Sequence, residues 1–258
     1  MKAIILSAGQ GKRLLPLTEK KPKSLLRLYD DVTILGWQLQ SLAKAGVKEV
    51  VIVSGFRAPL IRQEIEKYKT VLKVRELYNP FYKLADNLGS VWVARHVMDD
   101  DFILLNGDTM FTPEVAHQLV NDKRFDITLT ISRKSDYDAD DMKVQVEGDK
   151  LKAVGKKLPA QIVNGESIGM MKFSGGGIRD FKNHVNQAME TPEGLKTWYL
   201  SVLDTMARKD KVGILDVASD QWCEVDFPVD YKNACANALT WEKLMNKQED
   251  SQVESAAG

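Results

Sequence analysis

The stretch Ala3-Ile4-Ile5-Leu6-Ser7-Ala8-Gly9-Gln10-Gly11-Lys12-Arg13-Leu14-Leu15-Pro16-Leu17-Thr18-Glu19-Lys20-Lys21-Pro22-Lys23-Ser24-Leu25 opens on a short apolar run and continues into a loop of glycine, proline and basic residues. Four apolar residues bounded by small ones read as a buried strand feeding a turn. Gly9 and Gly11 lack a Cβ, so the backbone there can bend sharply and turn its N–H groups onto a bulky anion. Arg13 and Lys23 bring two cations to the same place, one a planar fork for phosphate oxygens and one a mobile point charge. Pro16 and Pro22 stiffen the path between them. Two familiar phosphate motifs fail: the dinucleotide pattern needs a third glycine where Leu14 stands, and the P-loop needs a Gly-Lys-Ser/Thr that is absent.

Working outward, apolar residues at Ile34, Leu35, Leu39, Leu42 and Ala43 predict a helix over 34–45, stopped by Gly46. Residues 49–53 read as a strand, 60–68 as a helix, 71–74 as a third strand, and 90–97 as a helix with Asn87 or Ser90 near its start. Residues 102–105 read as a central strand, and Thr112-Pro113 opens a further helix. Residues 127–131 read as a strand. This alternation argues the α/β class: Rossmann-like, with a mostly parallel mixed sheet covered by helices. Ligands of such sheets bind at the carboxyl ends of the strands. The glycine loop and Asn106-Gly107-Asp108 both follow strands at that edge.

From about residue 132 the pattern changes. Residues 142–154 read as a hairpin turning at Glu147-Gly148-Asp149 and 168–173 as a strand, so 132–172 is expected to form a small inserted antiparallel lobe. Helices over 175–189 and 195–207, strands over 212–215 and 222–225, and a long helix over 229–244 follow. Residues 1–245 are expected to form one domain. Residues 246–258, polar and small, are expected to be a loose tail.

Taken whole, Gly-x-Gly-x-Arg-Leu-x-Pro-Leu-Thr-x-x-x-Pro-Lys-x-Leu resembles the signature of the nucleotidyltransferases that join a nucleoside triphosphate to a phosphorylated small molecule. The resemblance implies a fold of the nucleotide-diphospho-sugar transferase type, with the inserted lobe receiving the acceptor. It implies that Leu6, Ala8, Gly9 and Gly11 surround the nucleotide. By the same resemblance Arg13 neutralises the leaving pyrophosphate and Lys23 contacts the transferring phosphate. In that family an Asp in a Trp-x-x-x-Asp setting near the C-terminus shares a magnesium ion with an earlier one. Here these are Asp226, in Trp222-Cys223-Glu224-Val225-Asp226, and Asp108; whether Glu224 joins them is left open. Asp230 is expected to cap or solvate the last helix. Such a pair answers a physical need. Two anionic reactants repel, and a hard Mg2+ held by carboxylates and phosphate oxygens offsets that repulsion. The cations then stabilise charge on the transferring and leaving groups. No protein nucleophile is required, and His96, His117 and His184 are not clustered.

Three stretches narrow the branch. Asn79-Pro80-Phe81-Tyr82 with Asp86-Asn87-Leu88-Gly89-Ser90, Asp140 to Val144, and Lys156 to Gly169 resemble the cytidylyltransferases for phosphocholine and 2-aminoethylphosphonate. The resemblance implies that Asn87 and Ser90, with backbone around Ala8 and Gly9, read cytosine. It places Asp141, Lys156 and Glu166 at the acceptor. A trimethylammonium wants an aromatic cage, whereas a primary ammonium wants carboxylates or carbonyls. Asp136, Asp138, Asp140 and Asp141 crowd the stretch where phosphocholine enzymes of this type place a Trp. The expected partners are therefore CTP and a small amino-alkyl phosphonate or phosphate, foremost 2-aminoethylphosphonate. Phosphocholine or phosphoethanolamine is the alternative, with Tyr137, Trp198, Tyr199 and Trp222 available for a cage. A sugar-1-phosphate enzyme using UTP or dTTP is a further alternative, and a non-enzymatic nucleotide sensor another. A glycosyltransferase is disfavoured, because Asp108-Thr109-Met110 lacks an Asp-x-Asp pair.

Composition agrees with this reading. The 258 residues carry 36 basic and 36 acidic side chains, net charge zero, which points to neither a nucleic-acid nor a membrane partner. The N-terminus does not read as a signal peptide, and Cys223 and Cys235 have no metal-ligand spacing and are expected to be reduced thiols of a cytoplasmic protein. A homodimer is allowed for.

Overall fold

In the computed structural model, which describes the backbone of residues 1–256 and the side chains of residues 1–247, Lys2–Ser7 forms β1 with Ala3, Ile4 and Ile5 fully buried. A strand buried on both faces belongs inside a sheet that is covered on both sides. The chain continues through a short hairpin, β2 (Arg27–Tyr29) and β3 (Val32–Thr33), then α1 (Ile34–Lys44), β4 (Glu49–Ser54), α2 (Ala58–Ile65) and β5 (Lys73–Tyr78). Next come α3 (Asn87–Ala94), β6 (Phe102–Asn106), β7 (Thr109–Phe111), α4 (Pro113–Asn121) and β8 (Ile127–Ser132). After these come β9 (Lys143–Glu147), β10 (Lys150–Gly155), β11 (Gly165–Phe173) and α5 (Gly175–Met189). The last elements are α6 (Tyr199–Ala207), β12 (Gly213–Val217), β13 (Trp222–Glu224) and α7 (Pro228–Ala256).

Nine strands share one sheet in the order β5-β4-β1-β6-β11-β8-β12-β10-β9. β5, β4, β1 and β6 are parallel. β11 lies antiparallel between β6 and β8, β12 is parallel to β8, and β10 is antiparallel to both its neighbours. The chain winds outward from β1 to β4 and β5, then returns to lay β6 on the other side of β1. The strand order therefore reverses between β1 and β6, the place where open α/β sheets bind ligands. Leu6 of β1 stands beside Asn106 of β6 at that crevice.

Two apolar layers fix the sheet. Leu35, Leu39 and Leu42 of α1, Ile61 and Ile65 of α2 and Val115 and Leu119 of α4 cover one face. Leu88 and Val91 of α3, Phe181 and Val185 of α5 and Leu203 and Met206 of α6 cover the other. The i, i+3/i+4 spacing of these residues is what gives each helix a core face. A third cluster lies off the sheet: Leu14, Leu26, Leu28, Trp37, Met110 and Val225 pack against Ala234, Ala238 and Trp241 of α7. It is the clamp that holds the N-terminal loop against the C-terminal helix.

The structure departs from the sequence reading in several places. The third strand is β5 at Lys73–Tyr78, not 71–74; it is an edge strand, where Lys73 and Arg75 face solvent and Glu76 pairs with Arg62. α3 starts at Asn87, capped by the Asp86 carboxylate accepting from the Asn87 N–H, rather than at Ser90. α6 starts at Tyr199, because residues 192–196 form a separate tight turn. Within 132–172, β9 and β10 form the expected antiparallel hairpin and also extend the main sheet, and Gly165 and Glu166 of β11 pair with β9. The expected loose tail is helical as far as Ala256, since Glu, Lys, Gln and Ala are good helix formers despite their polarity; residues 257–258 lie outside the described residues. Among the described residues, no helix is long and apolar enough to cross a membrane.

Candidate active site

The loop after β1 folds back on itself. Gly11 is left-handed at φ 78°, and a Cβ there would lie 2.8 Å from Cβ of Lys23. Glycine is thus required twice, for the backbone and for the approach of the lysine. The Thr18 hydroxyl donates to the Gly11 carbonyl at 2.7 Å, and Leu14 anchors the loop in the third apolar cluster. Gly9 has no neighbour within 4 Å of a notional Cβ, so its backbone stands open to a ligand.

The acidic wall is assembled from the far end of the chain. The Gly107 N–H donates to the Leu6 carbonyl at 2.9 Å, and a Cβ on Gly107 would sit 2.6 Å from that oxygen. This close approach sets Asp108 at the end of β1. β13 pairs antiparallel with β7, Glu224 opposite Thr109, and the Val225 N–H donates to the Asp108 carbonyl at 3.1 Å. The Asp230 carboxylate accepts from the N–H groups of Asp226 and Phe227 at 3.2 and 2.8 Å, so Asp230 caps the start of α7. The result is a cluster of Asp108, Glu224 and Asp226 with one carboxylate oxygen of each within 4.8 Å of the others.

Lys23 Nζ bridges this cluster, donating to Asp108 Oδ2 at 2.6 Å and Asp226 Oδ1 at 2.7 Å. Arg13 Nη2 donates to Asp226 Oδ2 at 2.5 Å, and its guanidinium lies 5.0 Å over the Phe227 ring. Burial pulls the Lys23 ammonium down, but Asp108 and Asp226 outweigh it and hold its pKa above the ordinary lysine value. Burial, then Asp108 and Asp226, push the Glu224 carboxyl up to about 8. Asp108 Oδ1 is buried with no hydrogen-bond partner among the described residues. An unpartnered carboxylate oxygen beside two further carboxylates is a donor set that fits a hard divalent cation.

Two cavities meet at this cluster. One of about 210 Å³ is lined by Leu6, Gly9, Gly11, Lys23, Asn87 and Asp108. The other, of about 360 Å³, is lined by Arg13, Asp140, Lys156, Trp198, Glu224 and Asp226 among others. Of the residues singled out from sequence, Leu6, Gly9, Gly11, Arg13, Lys23, Asn87, Asp108, Lys156 and Asp226 therefore converge on one crevice.

Four others do not line it. Ala8 is buried, and its carbonyl accepts from the Phe56 N–H at 2.9 Å. Ser90 is buried, and its hydroxyl accepts from Asn79 Nδ2 at 3.0 Å. Asp141 and Glu166 both pair with Lys134 Nζ, at 2.8 and 2.9 Å. Their neighbours Asp140 and Ser167 line the acceptor-side cavity instead: Glu166 and Ser167 alternate along β11, and Asp140 and Asp141 sit in a bend whose N–H groups donate to Asp138 Oδ1. The aromatic cage is not assembled either. Trp198 alone of its four candidates lines the cavity. Tyr199 is fully buried, the Tyr137 hydroxyl accepts from the Lys134 N–H at 3.3 Å, and Trp222 lies in β13.

Sequence reasoning passed over Asn106 and Gly169. The Tyr199 hydroxyl donates to Asn106 Oδ1 at 2.9 Å, and the Tyr199 N–H donates to Asn87 Oδ1 at 3.0 Å, so one buried tyrosine ties both cavity-lining amides. Gly169 is left-handed at φ 72°, and a Cβ there would come within 2.4 Å of Asn106 Nδ2. A glycine inside an apolar strand run is the available signal for such a kink.

A model of the nucleotidyl transferase family matches residues 2–141. The chain is similar to the CMP-5'-(3-aminopropyl)phosphonate synthase of Streptomyces rubellomurinus, 35% identical over 119 residues, 46% of this chain but only 19% of that protein. It is similar to the CTP:phosphoglutamine cytidylyltransferase of Campylobacter jejuni, 22% identical over 252 residues that cover 89% of this chain and 97% of that one. Among solved structures, the inositol-1-phosphate CTP transferase from T. maritima has the same fold, with a TM-score of 0.75 and 23% identity over 92% of this chain and 95% of that one.

Proposed function

Because the chain belongs to the nucleotidyl transferase family, we propose that it transfers CMP from CTP to a small amino-alkyl phosphonate or phosphate and releases pyrophosphate. The observation that carries this reading is the Lys23 ammonium lying between Asp108 and Asp226 at the mouth of the glycine loop. Cations and carboxylates are gathered there where two anionic reactants would have to meet.

The glycine loop offers its N–H groups at Gly9 and Gly11 to the triphosphate, with Asn87 on the opposite wall. An oxygen of the acceptor attacks the α-phosphorus of CTP, and the bond from that phosphorus to the bridging oxygen breaks. Its electron pair leaves on pyrophosphate. Arg13 and Lys23 exchange their carboxylate partners for phosphate oxygens and stabilise the charge on the leaving and transferring groups. Asp108 and Asp226, with Glu224 beside them, would hold the divalent ion, read here as Mg2+. Bound there, such an ion supplies charge neutralisation and fixes the orientation of phosphate oxygens.

On the acceptor side Lys156 is placed to meet the phosphonate, and Asp140 offers the carboxylate a primary ammonium needs. The lack of an assembled cage counts against a trimethylammonium. 2-Aminoethylphosphonate is the simplest acceptor with these features. The choice of CTP is supported by the names of the two relatives given above. The test is pyrophosphate release from CTP and Mg2+ with a panel of 2-aminoethylphosphonate, phosphoethanolamine and phosphocholine. Release with the first two is expected. Silence across the panel, or turnover only with UTP or dTTP and a sugar-1-phosphate, overturns the proposal.

A further inference from the structure

The acceptor-side cavity does not end at Lys156 and Trp198. A second cavity of about 550 Å³ continues past them, and Met142, Lys156, Trp198 and Leu200 line both. Its remaining walls include Ala139, Val154 and Leu158. On the shared wall Lys156 Nζ lies 4.9 Å from the centroid of the Trp198 ring and 3.7 Å from Asp140 Oδ1. Trp198, on the wall shared by the two cavities, is 38% exposed. The volume lies within the roughly 300–1,000 Å³ that encloses a whole small ligand, and a two-carbon chain held at Asp140 would leave it empty.

We infer that the acceptor carries an apolar extension beyond its amine: a 2-aminoalkyl phosphonate or phosphate whose carbon skeleton continues past Lys156 and Trp198 into this annex. The inference rests on the proposed reaction for the seat of the phosphonate. Lys156 holds the anionic end, Asp140 takes the ammonium, and the chain past the amine lies on Trp198, Met142 and Leu200. The order of charges decides the class. A terminal ammonium would have to enter an apolar space beside Lys156 and Lys157, so the amine belongs near the phosphonate and the apolar part beyond it.

The experiment is calorimetric binding of 2-aminoethyl-, 2-aminobutyl- and 2-aminohexylphosphonate to the full chain without nucleotide. Affinity is expected to rise about fourfold for each added methylene. The variants Ser201→Trp and Ala139→Trp, both at exposed positions on the annex wall, should flatten the series while melting as the parent does. A flat or falling series in the parent, no binding by any member, or a series unchanged in both variants overturns the inference. Pyrophosphate release measured alongside separates the two readings. Turnover with a flat series sinks the annex alone; a rising series without turnover from any nucleotide sinks the reaction alone.

Discussion

Lys23 spans Asp108 and Asp226, which leads to two expectations. Lys23→Ala should lower the rate of pyrophosphate release by about a hundredfold or more, as loss of a charge-stabilising donor does. It also leaves three carboxylates facing one another, so Mg2+ should raise the melting temperature of Lys23→Ala more than that of the parent. Equal shifts would remove Lys23 from the cluster. A third expectation concerns Glu166, which burial lifts to about 7 from an ordinary 4.5, Lys134 opposing the shift and Asp141 adding to it. A raised carboxyl pKa means the folded state keeps the proton longer than the unfolded one. That contribution is full below pH 4.5 and lost as pH rises through about 7. Urea titrations from pH 4.5 to 8 should therefore show the parent losing stability relative to Glu166→Gln, and parallel curves would refute the shift. At this scale the glycines and Asp108 could be picked out because they follow apolar runs that mark strand ends, whereas Arg13, Lys23 and Asp226 stood out only through the family resemblance of the stretches that carry them. Asp141 and Glu166 pair with Lys134, while the adjacent Asp140 and Ser167 line the cavity. A period of two does not say which face a strand turns inward until its partners are known.

β11 is the element whose irregularity shapes the crevice. Its register with β8 shifts between Ser167 and Met171, and Gly169 takes the left-handed backbone there against Asn106. Gly169→Ala should cost about 1–3 kcal/mol in urea unfolding and weaken nucleotide binding by displacing Asn106. A neutral alanine would show that the kink is not needed. Helix and strand cores were read correctly from spacing, while boundaries at β5, α3 and α6 moved. Those limits are set by an edge position, an Asp86 cap and a Pro192 turn, each of which competes with a plausible neighbour in the sequence.

At the scale of the molecule, the parallel half of the sheet follows from strand–helix alternation, and its reversal point locates the site. The other half was not legible. A hairpin pattern at 142–154 states that β9 and β10 pair with each other, but not that β10 continues onto β12 or that β9 touches β11. The off-sheet cluster escaped the sequence for the same reason, since Trp37 and Trp241, with ring centroids 5.8 Å apart, are joined only by the fold. Trp241→Ala should destabilise the protein by about 3–5 kcal/mol and weaken Mg2+ binding as well, because α7 steadies the turn carrying Asp226. A loss of stability with metal affinity intact would confine α7 to a packing role. The same clamp orders events at birth. Chains emerge from the ribosome N-terminus first, so a nascent polypeptide displays its glycine loop long before the acids that must answer it. Any product of premature termination short of residue 226 carries half a centre, and the site is complete only once the strand at Trp222–Glu224 has found its place against Thr109–Phe111.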